Sequence, residues 1–136
     1  MQHSWISLII NRSVESVERW EALPCVVKLS GGYRIQIEGL WRLLCDGALT
    51  RTSEDDGQRF GLSQPVDAIA ELSKAIIGRT VDSIEVDAGT ADLTLSFGRT
   101  VLQAISTSAG YEAWQVNGPE GTVAVGQGGG NVVVWD

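Results

Sequence analysis

The spacing of apolar residues changes from helical to alternating near residue 78. Before this point, residues 65–77 carry apolar side chains on one face at helical spacing. These side chains belong to Val66, Ile69, Ala70, Leu72 and Ile76. Pro65 suits a first turn, and Gly78 supplies a left-handed stop. The pattern predicts an amphipathic helix over 65–77.

After Gly78, apolar and polar residues alternate in short runs separated by tight turns. The runs cover residues 81–86, 93–97, 101–105, 111–116, 122–125 and 132–135. Even spacing of this kind predicts an antiparallel meander of about six strands, with the 65–77 helix covering one face. The glycine-rich segment 126–131 leads from strand to strand, which favours a wide or bulged hairpin turn over a phosphate-binding loop.

The first half of the chain mixes both periods. Val14, Val17 and Trp20 recur at helical spacing before Pro24, which predicts a short amphipathic helix. Residues 25–29 and 33–37 flank a glycine pair and predict a hairpin, and 40–45 predicts a further strand. Residues 5–10 suit a buried strand or the start of a helix, and 51–61 suit an exposed loop. The expected fold is a single α+β domain over residues 1–136: the meander packed against one or two amphipathic helices.

Composition narrows the range of partners. The chain has 136 residues, with 17 acidic and 10 basic side chains and a net charge of −7. Such a surface disfavours nucleic acid and anionic membranes and favours encounter with a basic protein. The alternative is that the acidity serves solubility alone.

Cysteine usage and hydropathy bear on the compartment. Cys25 and Cys45 lie in apolar surroundings outside any metal or redox spacing, which predicts free, buried thiols, with a disulfide as the alternative. No apolar run reaches the length of a membrane span, and residues 5–10 lack a basic leader. We expect a cytoplasmic protein.

The candidate chemistry is sparse. His3 is the single histidine and precedes the first predicted element, so a histidine-activated nucleophile and a histidine-rich zinc site are both disfavoured. The run Glu54-Asp55-Asp56 lacks the ligand spacing of a calcium loop. We expect no metal, no cofactor and no catalytic residue.

Tryptophan is frequent, with five residues. Trp20 and Trp41 follow apolar positions and suit the core. Trp114 and Trp135 lie on predicted strands and suit either the core or an exposed binding anchor. Alternation along the strand would place Glu112 and Trp114 on one face, as a recognition patch or with Trp114 inside.

The last third of the chain carries short motifs: DLTLSF at 92–97, GYEAWQV at 110–116 and GQGGG at 126–130. Over residues 79–136 it resembles a family of small, uncharacterised bacterial proteins that are similar to toxin-immunity partners. The resemblance implies a protein that binds and blocks a toxin domain.

These observations favour a non-enzymatic immunity protein that neutralises a basic bacterial toxin domain, such as a nuclease. The alternatives are a small ligand-binding or carboxylate-dependent enzyme domain, or a structural protein. An exposed sheet edge would allow dimerisation, but the sequence identifies no such edge. The expected partner-binding residues are Glu54, Asp55, Asp56, Asp82, Glu85, Glu112 and Trp114.

Overall fold

Antiparallel strands extend through nearly the whole chain. The structure is a computed structural model that describes residues 4–21 and 23–135. Its strands are β1 Val14–Trp20, β2 Leu23–Leu29, β3 Tyr33–Ile37, β4 Leu40–Cys45, β5 Ala48–Thr52, β6 Ser83–Val86, β7 Leu93–Phe97, β8 Thr100–Ile105, β9 Trp114–Gly118, β10 Gly121–Gly126 and β11 Val132–Val134. Its α-helices are α1 Ile6–Ile9 and α2 Ala68–Ile76. The fold is therefore mainly β, with minor helices.

The strands form two antiparallel sheets. The six-stranded sheet has the order β1-β2-β3-β9-β10-β11, and the five-stranded sheet has the order β5-β4-β8-β7-β6. Alternate residues of both sheets turn inward and meet in one hydrophobic core, because successive side chains of a strand point to opposite faces. The largest fully buried side chains include Trp41, Trp114 and Phe97. Helix α2 packs against β1 and β5 and adds Leu72 and Ile76 to the core.

The helix predicted before Pro24 is wrong, because these residues form β1. The pairing of β1 with β2 shifts register between Val14 and Ser16 and again between Glu18 and Trp20. The first irregularity adds a residue to β1 and displaces the alternation of its inward and outward side chains. Val14 and Val17 thereby both become buried although they are three residues apart, and the spacing mimics a helix.

The prediction that the strands after Gly78 form one continuous meander is also wrong, because they belong to two sheets. Strands β6, β7 and β8 pair with one another, and β8 then pairs with β4. Strand β9 crosses to the other sheet and pairs with β3 and β10. The six predicted strands themselves exist, with shifted ends, but they are divided between the sheets and do not make up the whole β structure.

Several local predictions are confirmed. The hairpin of residues 25–37 is present as β2 and β3, and residues 40–45 form β4. Residues 5–10 contain α1, the helical alternative. The predicted 51–61 loop begins instead with the end of β5 and a 3₁₀ turn at Ser53–Asp55. Strand β5 follows a tight turn in which Asp46 and Gly47 have φ of 52° and 81°, the geometry of a hairpin turn that the sequence signal Asp-Gly allows.

Both cysteines are free thiols, so the disulfide alternative is wrong. Cys25 is buried and Cys45 is half-buried. Among the residues that the structure describes, no helix is long and apolar enough to cross a membrane.

Candidate protein-binding surface

The segment between the 3₁₀ turn and α2, residues 56–67, folds back on itself; we call it the 56–67 loop. The Gly57 N–H donates to the carbonyl of Val66, and the Val66 N–H donates to the carbonyl of Gln58, both at 2.8 Å. The Arg59 guanidinium donates to the carbonyl of Ser63 at 2.7 Å. Because its polar backbone groups bond within the loop, this segment has a defined shape without regular secondary structure.

The tip of the 56–67 loop exposes two large apolar side chains. Phe60 is 63% exposed and Leu62 is 57% exposed. Phe60 has a φ of 47°, between Gly57 and Gly61 at 81°. A bulky residue in this region is uncommon and costs on the order of 1 kcal/mol or more. The backbone therefore accepts strain at the position that carries the exposed aromatic ring.

A groove lies beside this tip. It has a volume of about 410 Å³, and its apolar lining includes Leu62, Pro65, Val66 and Ala70. Asp67, Glu71 and Lys74 form its polar part. An apolar tip next to an apolar groove with a charged rim is the arrangement typical of protein interfaces, where aromatic anchors carry much of the binding energy.

Two of the acidic residues predicted for partner binding hold this surface in place. The Asp55 carboxylate accepts from the Thr52 N–H at 2.9 Å and lies 3.7 Å from Arg51. The Asp56 carboxylate accepts from the Ala68 N–H at 2.9 Å and lies 3.2 Å from Arg19. A carboxylate at a helix N-terminus satisfies free N–H groups and opposes the helix dipole. Asp55 and Asp56 thus tie β5, β1 and α2 together around the loop.

Asp67 completes this anchoring. It is the N-cap of α2, accepts from the Ala70 N–H at 3.1 Å and also lies 3.2 Å from Arg19. Glu54, by contrast, is exposed, and its carboxylate takes part in no hydrogen bond or ion pair with the described part of the chain. Of the predicted acidic run, Glu54 is the member left available to a partner at this surface.

The remaining predicted acidic residues lie elsewhere. Glu85 is on β6, and Asp82, just before that strand, accepts a hydrogen bond from the Gly98 N–H. Strand β6 and strand β5 are opposite edges of the five-stranded sheet. At about 4.8 Å per strand spacing, they are roughly 19 Å apart. Asp82 and Glu85 therefore do not form one cluster with residues 54–56.

Glu112 lies ahead of β9, beside Glu38 at the end of β3. The Glu38 N–H donates to the carbonyl of Ala113 at 3.0 Å, which brings the two segments together. Partial burial raises the pKa of Glu38, and the neighbouring Glu112 carboxylate adds to this effect. These two carboxylates form a separate pair, distinct from the 56–67 loop.

Trp114 belongs to the core, so its prediction as a partner-binding residue is wrong. Its side chain is fully buried, packs 5.6 Å from the ring of Trp5 and donates to the carbonyl of Ala91 at 2.7 Å. It shares no exposed patch with Glu112. Trp135 is 49% exposed, so of the two C-terminal tryptophans this one is accessible.

The glycine-rich turn is a packing element. It joins β10 to β11 as a hairpin, with Gly129 and Gly130 at φ of 79° and 82°, as the wide-turn prediction requires. A Cβ on Gly128 would meet the backbone of Ala109, and one on Gly130 would meet the backbone of Gly89. The turn is therefore packed against these two loops.

No metal site was found in the part of the chain that the structure covers: no group of three or more His, Cys, Asp or Glu side chains there is placed to hold a cation. His3 lies outside the described residues.

Phe60 and Leu62 were not among the partner-binding residues predicted from the sequence. The sequence signal was present, since RFGL places two large apolar residues at the end of a polar segment. The spacing of apolar residues predicts which face of a helix or strand is buried. A loop has no regular spacing, so this method says nothing about the exposure of its apolar residues.

Comparison with known proteins identifies a family, but this match does not connect the chain with toxin-immunity proteins. Residues 5–136 match DUF6188, a family of unknown function. No curated protein and no solved structure matches the chain. The match covers both sheets and both helices, beyond the C-terminal motifs, and the chain belongs to the DUF6188 family.

Proposed function

We propose that this protein is a non-enzymatic binding protein that docks a protein partner on the 56–67 loop and the adjoining groove. The observation that carries the proposal is the exposure of Phe60 and Leu62 on a loop of defined shape. Exposed apolar side chains that adjoin one another are typical of interaction sites, and Phe60 and Leu62 lie two residues apart at one loop tip.

Covering the two exposed apolar side chains would add to the affinity of a complex at this surface. Fully burying a Phe or Leu side chain contributes about 1.5–3 kcal/mol. Phe60 and Leu62 are each more than half exposed, so covering both would contribute about 3 kcal/mol, or roughly a hundredfold in Kd. The internal hydrogen bonds of the loop reduce the ordering cost of binding, because the loop already has its shape.

The partner is proposed to be basic. The chain carries a net charge of −7, which attracts a positively charged protein over several ångströms and speeds encounter. Asp55, Asp56 and Asp67 are already paired with arginines, so the charge of the protein as a whole supplies this attraction more than any free carboxylate at the loop.

The specific role we propose is immunity: the protein binds a toxin domain in the cytoplasm and blocks it. This role is supported by the C-terminal motifs and by the acidic surface. It predicts that the partner is encoded beside this protein, as toxin and antidote are produced together.

The test is co-expression with the protein encoded immediately upstream. We expect a stable complex in gel filtration and relief of the growth inhibition that the upstream protein causes alone. The double variant Phe60→Asn with Leu62→Ser should weaken the complex about a hundredfold by calorimetry. Asn tolerates positive φ, so this variant keeps the loop geometry.

A matched control is Tyr111→Asn, which removes an 81% exposed aromatic ring from a different part of the surface. It should leave the affinity unchanged. Absence of both complex and growth relief with the native chain would overturn the immunity role. If the upstream protein binds the double variant as tightly as it binds the Tyr111→Asn control, the assignment of the 56–67 loop as the interface would be overturned.

A further inference from the structure

The two edge strands of the six-stranded sheet, β1 and β11, differ in their backbone hydrogen bonding. Strand β1 is paired at its first residue, because the Val14 N–H donates to the carbonyl of Arg79 and the Gly78 N–H donates to the carbonyl of Val14, both at 2.8 Å. Strand β11 is the other edge, and within the described residues nothing pairs with its far side. One edge of this sheet is therefore open.

The register of the last hairpin shows which backbone groups are free. The Gln127 N–H donates to the carbonyl of Asn131, the Trp135 N–H donates to the carbonyl of Val123, and Val125 is opposite Val133. Residues 131, 133 and 135 thus turn their N–H and C=O groups toward β10. Because the direction alternates along a strand, Val132 and Val134 turn theirs away from the sheet.

This open edge lacks the features that normally protect one. Exposed edges usually carry charged side chains or proline, which prevent pairing with another strand. The edges of the five-stranded sheet follow this rule, with Glu85 on β6 and Arg51 on β5. Strand β11 is Val-Val-Val, without charge.

Exposed apolar surface lies next to this edge. Val134 is 39% exposed, Trp135 is 49% exposed and Leu8 is 42% exposed. Trp135 and Leu8 line one groove of about 410 Å³ together with Tyr33, and Glu120 adds a carboxylate to its lining. The edge and this groove form a continuous surface that pairing would cover in part.

We propose that two copies of the chain associate through β11, antiparallel about a two-fold axis at Val133. In this register Val132 of one copy pairs with Val134 of the other, and every free N–H and C=O of these two residues gains a partner. The strand is thus complementary to itself, as a two-fold interface requires. Strand β11 itself carries no charged side chain, so a second copy of this strand can pair here without bringing like charges together.

The short strand predicts a weak, concentration-dependent dimer, since small interfaces are transient. Sedimentation velocity from about 1 µM to 1 mM should show monomer converting to dimer over this range. Hydrogen exchange of the Val132 and Val134 amides should slow as concentration rises, because these N–H groups are bonded only in the dimer.

The variant Val134→Lys places like charges on both sides of the axis and should weaken the dimer roughly tenfold or more. Val134→Pro removes an outward N–H without breaking a bond inside the sheet and should have the same effect, so loss of dimer in both variants does not depend on the added charge. The matched control is Leu49→Lys, which adds the same charge on β5 where the native side chain is 58% exposed. It should leave the dimer unchanged.

Three results would overturn the proposal. One is a monomer throughout the concentration range, and another is a dimer that Val134→Lys and Val134→Pro do not weaken. The third is protection of the Val132 and Val134 amides that appears only when the upstream protein is added, which would assign the edge to a foreign strand. None of these results bears on Phe60 and Leu62.

Discussion

Replacing Gly126 with alanine tests the packing around Trp114. Gly126 lies on β10 opposite Trp114 on β9. A Cβ at residue 126 would lie within 3.0 Å of the Cε2, Nε1 and Cζ2 atoms of the Trp114 ring. The ring has little room to move, because it is fully buried, packs against Trp5 and donates to the carbonyl of Ala91.

The expected loss of stability has two parts. Forcing an extra methyl group into a packed core costs about 1–3 kcal/mol. If the ring shifts to make room, its hydrogen bond to Ala91 weakens, which costs about 1 kcal/mol more. Alanine reduces the freedom of the unfolded chain and returns about 0.5 kcal/mol. We expect the free energy of unfolding to fall by about 1.5–3.5 kcal/mol and Tm by roughly 5–14 °C.

Urea unfolding followed by far-UV circular dichroism measures this change. The matched control is Gly39→Ala, since both glycines lie outside the left-handed region and a Cβ at residue 39 makes only an ordinary contact, 3.6 Å from Thr107. The control should be neutral or slightly stabilising. In addition, the indole N–H of Trp114 should exchange faster in Gly126→Ala. If the two variants are equally stable, the close packing of Trp114 on β10 is refuted.

Two titrations provide further predictions. Burial raises the pKa of Cys25 from 9.0 to about 12, so the contribution of this thiol to stability should be complete below pH 9 and lost between pH 9 and 12. Cys25→Ala should flatten this loss in urea unfolding, and an unchanged loss would contradict the effect of burial. Hydrogen bonds to the Glu18 carboxylate lower its pKa from the ordinary 4.5 to about 2. The bond from the Trp20 indole N–H has the largest effect, and the bond from the Ser16 hydroxyl has the next largest. The contribution of Glu18 to stability is therefore present above pH 4.5 and lost toward pH 2, and Trp20→Phe should raise this pKa in an NMR titration; an unchanged value would contradict the hydrogen bond.

The sequence predicts those elements whose signals are local. Helix α2 has a cap, an apolar stripe and a glycine stop within its own residues, and it was found with ends shifted by one to three residues. The β2–β3 hairpin likewise has its glycine turn between two apolar runs. In both cases neighbouring residues determine the structure, so reading the chain in order suffices.

The partition of strands between sheets is not a local property. The turn between β7 and β8 contains Gly98, and the turn between β9 and β10 is flanked by Gly118 and Gly121. Both turns join antiparallel neighbours. The segment between β8 and β9 crosses from one sheet to the other, yet its Ser-Ala-Gly sequence is that of an ordinary turn. Which strand pairs with β3 is decided by burial of Trp114 and Val116 in the shared core, a property of the assembled fold.

The candidate site was predicted only in part for a related reason. Charged residues can be counted along the chain, so the sequence identified the acidic run 54–56. Whether these carboxylates are free for a partner depends on the groups that they contact in the folded protein. Asp56 is opposite Arg19 and the start of α2, which a one-dimensional pattern does not show. Exposure is also a tertiary property, and therefore the sequence did not identify the exposed apolar residues Phe60 and Leu62 of the 56–67 loop.

Phe60 connects the strain in the loop with its proposed function. Local backbone preference favours Gly or Asn at a φ of 47°, and sequences that fold well usually agree with such preferences. A departure that places a large ring in water has no benefit for the folded chain by itself, and such departures are expected at functional positions. Phe60→Asn should therefore leave the isolated protein at least as stable as the native chain while weakening the complex. If instead it destabilised the isolated protein by 1 kcal/mol or more, about the scale of the backbone strain, the ring would have a structural role, and exposure of Phe60 would no longer support a binding surface.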